Sequence, residues 1–399
     1  MSLSYFFERF QSNEDKDAII HNKKVYSYGE LLTKIDKSHY LIGSKNIKPG
    51  SVVAIEGDFT PNSIALLLAL INKSCIIVPL TVDSRKNENF FFDVSSVEFV
   101  FRVDESDSIS FHRLANKTSN NYYEKIRNRN HPGLVLFTSG TSGKPKAAVH
   151  DFMGLLAKFK EIRSTLRTLN FLLFDHWGGL NTMFHVLSNV GVVIAAKNRS
   201  PENICKLIEL YKIELLPASP TFLNLMLLSG AHKKFNLDSL KIISYGTEPM
   251  PKVTLLRLEK VFPNVKLLQT YGLIELGVMR SKSEKNDSLW VKVGGNGYET
   301  RIIDGMLEIK AKSAMLGYLN AESPFTKDGW FKTGDSVEVK GDYIKILGRK
   351  SEIINVGGDK VYPQEVESTI QEFRNVAEVM VYGEKNPIMG SIVCANVRL

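Results

Sequence analysis

Cysteine is scarce: Cys75, Cys205 and Cys394 are the only three in 399 residues, and they lie far apart. That spacing excludes a disulfide framework and the common zinc-binding patterns, and it fits a reducing compartment. Long apolar runs are missing as well. The longest, residues 64–71, is too short to cross a bilayer, so no transmembrane segment is expected. Glu8, Arg9, Glu14 and Asp15 break any apolar stretch near the start, so no signal peptide is expected and a cytoplasmic location is. Charge of one sign is not concentrated anywhere. The net charge is +8, but basic pairs such as Arg127 with Arg129 and Lys233 with Lys234 are scattered, so nucleic acid is not an expected partner. At 43% hydrophobic and 24% charged residues, the chain has the composition of a folded protein of two or three domains.

Against these absences stands a regular alternation. From Ser51 to about Gly272, short β-branched runs alternate with amphipathic stretches. "SVVAIEGDF" leads through "SIALLLALINK" to "CIIVPL", and "LVLF", "FLLF", "GVVIAA", "IELLPAS", "LKIIS" and "VKLLQ" follow as strand-like runs. Helical stretches at residues 201–212 and 251–261 separate some of them. Such alternation predicts an α/β fold with helix-covered, mostly parallel sheets. After Ser288 the texture changes to short strands and turns, which predicts a small β-barrel-like subdomain over about 289–348. Residues 349–399 read as a Gly-tipped hairpin, a helix with Pro363 near its first turn, and two further strands. The expected division is therefore a large N-terminal domain over 1–348 and a small α+β domain from 349. Its pattern stops inside a strand at Leu399, so the small domain is expected to be truncated.

Ligands of open parallel sheets collect at the carboxyl ends of strands. Polar, glycine-bearing segments follow four of the strand-like runs: "TSGTSG" after "LVLF", "DHWGG" after "FLLF", "SYGTEP" after "LKII" and "QTYGLIE" after "VKLL". The first continues as "TSGTSGKPKAAVH". Gly140 and Gly143 allow backbone N–H groups to approach an anion. Thr138, Ser139, Thr141 and Ser142 add hydroxyls, and Lys144 and Lys146 add charge. The ordinary NTPase P-loop does not fit, because Pro145 follows Gly143-Lys144 and Thr138 stands where the first glycine belongs. Phosphate binding still outweighs a solvated Gly/Ser connector, since a connector has no need of two lysines around a proline directly after a strand.

Taken together, these segments resemble the adenylate-forming (AMP-binding) superfamily, closest in pattern to acyl-CoA synthetases. The likeness runs through "TSGTSGKPKAAVH", "SYGTEP", "TYGLIE", "GYLN", "DGWFKTGD" and "GRKSEIINVGGDKVYPQEVE", in family order. It implies a two-step ligase: a carboxylic acid attacks the α-phosphate of MgATP, and a thiol then displaces AMP. The thiol is that of coenzyme A or, in some relatives, of a carrier protein. By the same resemblance Gly246, Thr247 and Glu248 face adenine, with Tyr271 and Gly272 beside them. Asp335 takes the ribose hydroxyls with Arg349 nearby, Glu275 holds Mg²⁺, and Lys146 acts on the phosphates. Gly357, Gly358 and Lys360 approach the pantetheine after a hinge movement at Ser351, and His176 borders the acyl pocket. Other readings stay open for several of these. Glu275 could cap a helix starting after Gly272, Tyr271 could be core, Asp335 could be a turn residue and His176 could be structural. Asp175 is the residue that an amino-acid-activating enzyme would use to hold an amine.

The pattern also departs from the family. Ala147 replaces a usual glycine, Ile274 stands where a Thr or Ser hydroxyl is usual, and the family's C-terminal catalytic lysine has no counterpart before Leu399. Ile274 and the absent lysine raise a second expectation, that of a nucleotide-binding protein with impaired catalysis.

Overall fold

The computed structural model describes residues 3–115, 120–138, 144–356, 359–373, 375–386 and 389–399. Two seven-stranded sheets form its large part. In the first, Lys266–Gln269, Ile242–Tyr245, Leu215–Ala218, Thr168–Asn170, Val193–Ala195 and Asp17–His21 run parallel in that order, and Lys24–Ser27 closes the edge antiparallel. In the second, Gly133–Thr138, Ile76–Leu80, Val52–Glu56 and Phe99–Val103 are the parallel centre. Ile109–Arg113 flanks it on one side, and Lys146–Asp151 with Gly317–Tyr318 on the other.

The apolar run at residues 64–71 lies inside the helix Pro61–Asn72, which starts on a Thr60 cap with Pro61 in its first turn. Every residue of that run is fully buried, as expected for a helix that is apolar on all sides. Among the described residues no helix is long and apolar enough to cross a membrane.

Two local expectations are overturned. "FLLF" is not a strand: the strand ends at Asn170, and the next residues turn back over the start of the helix Trp177–Ser188. There the His176 N–H donates to Leu173 O at 3.2 Å, and a Cβ on Gly179 would collide with the Leu172 and Leu173 carbonyls. Nor does a helix begin after Gly272. Gly272–Leu273 pairs antiparallel with Gly277–Val278, in a tight hairpin that Gly277 closes at φ +90°.

A six-stranded antiparallel sheet follows, in the order Arg280–Ser283, Val291–Gly294, Tyr343–Arg349, Phe331–Lys340, Met306–Ala311, Tyr298–Ile303. Its first strand begins at Arg280, upstream of residue 289. A short turn, Lys350–Glu352, leads to a last sheet ordered Asp359–Val361, Ile354–Val356, Gly390–Arg398, Glu378–Asn386, with the helix Pro363–Ile370 beside it. The Tyr362 and Ser336 hydroxyls, 3.0 Å apart, tie this unit to the six-stranded sheet.

Candidate active site

Strand ends create the site. Ile242–Tyr245 and Lys266–Gln269 are parallel neighbours in register, so the segments "GTEP" and "TYGLIE" leave the same edge side by side. The Thr270 N–H and hydroxyl both donate to Tyr245 O, at 2.7 and 3.0 Å. This crossing leaves no room for a side chain at Gly246, whose Cβ would strike Thr270. Thr247 next to it has φ +73°, a left-handed conformation unusual for a β-branched residue. The Glu248 carboxylate accepts from Thr221 N–H at 2.7 Å, at the start of the helix Pro220–Leu228. Thr247 and Glu248 are exposed, and Gly246 is partly so.

Asp335 comes from a different sheet and meets "TYGLIE" through Tyr271. The buried Tyr271 hydroxyl donates to Asp335 Oδ2 at 2.5 Å, and Arg349, the register partner of Asp335, reaches Oδ1 at 3.4 Å. Tyr271 is thus a support for Asp335. Burial pushes the Asp335 pKa up, and the Tyr271 hydrogen bond and the Arg349 charge oppose that rise. The charge of Glu275 acts in the same upward direction, which places the two carboxylates in one field. Burial, followed by the charge of Asp335, holds the Tyr271 phenol neutral with its pKa well above the ordinary range.

Glu275 sits in the turn of the short hairpin. Its Oε1 accepts from Tyr318 Oη at 2.5 Å, and Met315 N–H donates to its carbonyl at 2.7 Å. Lys146 Nζ stands 5.6 Å from the centre of the Tyr318 ring. Tyr318 therefore joins the phosphate-loop strand to the "TYGLIE" hairpin. Its motif, "GYLN", is visible in sequence, but no role for the tyrosine could be read there. His150 makes a second join: fully buried, it donates from Nε2 to Ile274 O at 2.8 Å, and burial lowers its pKa to about 4. The Ile274 side chain is partly buried and packs against two core clusters.

The phosphate loop springs from a rigid frame. Thr138 and Lys146 are register partners on the strands Gly133–Thr138 and Lys146–Asp151, so the loop's two ends are fixed side by side. Asn320 clamps its exit, accepting from Ala147 N–H and donating to Pro145 O, both at 2.9 Å. Ala147 is fully buried and fits without strain. Lys144 is exposed. Ser139, Gly140, Thr141, Ser142 and Gly143, and likewise Gly357 and Gly358, lie outside the described residues.

Other expected site residues are not drawn into this cluster. Lys360 is exposed on the outer strand Asp359–Val361. His176 caps the helix Trp177–Ser188, its Nδ1 accepting from Gly178 N–H at 2.9 Å, and burial lowers its pKa. Its proton is thus fixed on Nε2. Asp175 accepts from Thr81 at 3.3 Å, and burial raises its pKa.

The family model for AMP-binding enzymes matches residues 6–319. The chain belongs to this family. Among AMP-binding relatives, it is similar to an indoleacetate–CoA ligase of Aromatoleum aromaticum, 26% identical, with 100% of this chain and 88% of that protein covered. It is also similar to a 2-succinylbenzoate–CoA ligase of Listeria innocua, 25% identical over 97% of this chain and 87% of the relative. The fold matches the amide bond synthetase McbA of Marinactinospora thermotolerans with a TM-score of 0.79 at 21% identity, covering 100% of this chain and 89% of that one. ATP-bound MatB of Rhodopseudomonas palustris matches equally well, with a TM-score of 0.79 at 21% identity over 98% and 88% of the two chains.

Proposed function

We propose that the chain activates a carboxylic acid as its acyl-adenylate and transfers the acyl group to coenzyme A. The observation that carries this reading is the convergence of Lys146, Tyr318, Glu275, Tyr271, Asp335 and Arg349. They come from separate strands and hairpins, and their hydrogen bonds and charges interlock. In the first half-reaction the acid's carboxylate attacks the α-phosphorus of ATP, and pyrophosphate leaves. In the second, the thiol attacks the acyl carbon, and AMP leaves. Phosphoryl transfer depends mainly on positioning and charge stabilisation, and this chain's residues supply both. Asp335 fixes the ribose, Gly246, Thr247 and Glu248 border the base, and Lys144 and Lys146 offset the charge of the phosphate tail.

Magnesium fits Glu275. A single carboxylate with one oxygen anchored on Tyr318 leaves the other free, and it would hold a hard cation whose charge would offset that of the phosphates. Among the described residues no cluster of three acidic, histidine or cysteine side chains offers a metal cage, so the nucleotide itself would complete the coordination. In this reading residues 1–348 hold the nucleotide, and a mobile small unit from 349 carries Gly357, Gly358 and Lys360 to the pantetheine.

ATP carries the phosphate tail and AMP does not, which gives the test. Replacing Lys144 and Lys146 together with Ala should weaken ATP and pyrophosphate binding, leave AMP nearly unchanged, and matter less at high salt. Equal losses for both nucleotides, measured by calorimetry, would reject the phosphate-tail assignment. Coenzyme A and a carrier protein, offered in turn with a supplied acyl-adenylate, separate the acceptors.

A further inference from the structure

Behind the hairpin that carries Glu275 lies a cleft of about 470 Å³, built from the segment after the phosphate-loop strand, the helix Trp177–Ser188 and the six-stranded sheet. Lys158 projects into it. Its Nζ donates to Val278 O at 3.1 Å and lies 6.0 Å from the centre of the buried Trp177 ring. An ammonium has three N–H donors, and one carbonyl satisfies only one of them.

Among the described residues no carboxylate pairs with Lys158. The one acid lining the cleft, Glu161, is already shared by Arg163 at 2.8 Å and Arg280 at 3.2 Å. Lys312 adds a further positive charge to the lining. The cleft therefore has excess positive charge, and the Lys158 ammonium has donors to spare. Burial, reinforced by Arg163, lowers the Lys158 pKa to about 7, as expected for an ammonium that lacks a counter-ion.

The cleft adjoins the hairpin that carries Glu275. Val278, which Lys158 holds, is the register partner of Gly272, and Gly272 opens the segment that ends at Glu275. Neighbouring strands lie about 5 Å apart, so a molecule reaching from Lys158 past this hairpin to Glu275 spans on the order of 10 Å. We propose that the cleft receives the far end of the acid substrate, and that Lys158 selects acids bearing a second carboxylate there. The direction of the substrate rests on the ligase reading above; the anion site itself does not.

The test uses dicarboxylic acids of four to ten carbons and the matching monocarboxylic acids, titrated calorimetrically into the protein with saturating AMP. Suberate and octanoate are the central pair. A diacid of fitting length should bind about tenfold to a hundredfold more tightly than its partner, and Lys158→Met should remove that preference while Lys158→Arg keeps most of it. A second readout needs no variant. Pairing Lys158 with a carboxylate restores its charge, so diacid binding at pH 7 should take up about half a proton, seen as a dependence of the heat on the buffer's ionisation enthalpy.

The other titratable groups facing Lys158 are Glu161, Arg163, His185, Arg280, Tyr298 and Lys312. Uptake that survives in Lys158→Met would belong to His185 and overturn the assignment. Equal affinity for mono- and diacids at every length would overturn it too. So would free acetate matching the diacid, since the site would then take any small anion. AMP titrated alone reports on the ligase reading separately. If AMP fails to bind, that reading falls while the diacid titration still decides the cleft; if AMP binds and the diacid shows no preference, only the cleft proposal falls.

Discussion

Asp335 shows how one residue can trade stability for binding. Asp335 is 6% exposed, and burial raises its pKa, so keeping it ionised at neutral pH costs the empty fold free energy. Because the folded pKa lies above the unfolded one, this cost is present above the folded pKa and vanishes below the unfolded one. Asp335→Asn removes the charge and keeps an acceptor for the Tyr271 hydroxyl. Its melting temperature without ligand should equal or exceed the wild type's at pH 7, while AMP binding should weaken by roughly 1–3 kcal/mol, the worth of charge-assisted hydrogen bonds to ribose. A variant less stable than wild type, with unchanged AMP affinity, would make Asp335 a structural residue. Tyr318→Phe asks a narrower question. It deletes the donor to Glu275 and leaves the ring beside Lys146, so ATP with magnesium should bind about 1 kcal/mol more weakly while AMP binding stays nearly unchanged.

At the scale of elements, the site is a set of hairpins and strand ends braced against one another. The strand Gly317–Tyr318 is only two residues long, yet it edges the phosphate-loop strand and delivers Tyr318 to Glu275 and Asn320 to the loop's exit. Asn320→Ala should leave the buried Ala147 N–H without its partner, at a cost of about 1–3 kcal/mol. The damage falls on the loop frame, so ATP affinity should drop more than AMP affinity in paired titrations. A uniform loss would mean that the clamp serves the whole fold.

Elements also mark where sequence reading succeeded and failed. Seven of the parallel strands were legible because each is a short apolar run bounded by polar segments, whereas Asp17–His21, Phe99–Val103 and Thr168–Asn170 went unnamed; the helix Pro201–Tyr211 was legible because Pro201 and apolar periodicity announce it. "FLLF" misled because four apolar residues suit a strand or a turn packed on a helix start, and only the crowding at Gly179 decides between them. The hairpin at Gly272 was hidden for a related reason: Gly277 turns it, and nothing local distinguishes that glycine from a helix residue. In the site, Asp335, Arg349 and Glu275 could be named from ordered motifs. The tertiary partners that hold them, Tyr318 and His150, could not, because their significance lies in contacts spanning 43 and 124 residues of chain.

At the scale of the whole molecule, five of the eight histidines share one electrostatic setting. His21, His39, His150, His176 and His185 all have lowered pKa values, and burial is the largest cause for each. A histidine whose folded pKa is depressed binds its proton more readily in the unfolded chain. Stability is therefore complete above the unfolded value near 6.5 and declines as pH falls toward the folded value. His150, lowered to about 4, has a window that runs from pH 6.5 to pH 4, and its protonation would end its role as a neutral strut between the phosphate-loop strand and Ile274. Its share of the loss between pH 6.5 and pH 4 is on the order of 3 kcal/mol. Urea unfolding at pH 7, 6 and 5 should show the wild type losing stability at each step. His150→Gln can still donate to the Ile274 carbonyl but does not titrate. It should begin less stable at pH 7, through imperfect packing, and then fall more gently, so that the two curves converge toward pH 5. Parallel curves would mean that His150 titrates alike in the folded and unfolded chain; a wild type that gains on His150→Gln as pH falls would mean that the strut already carries its proton in the fold.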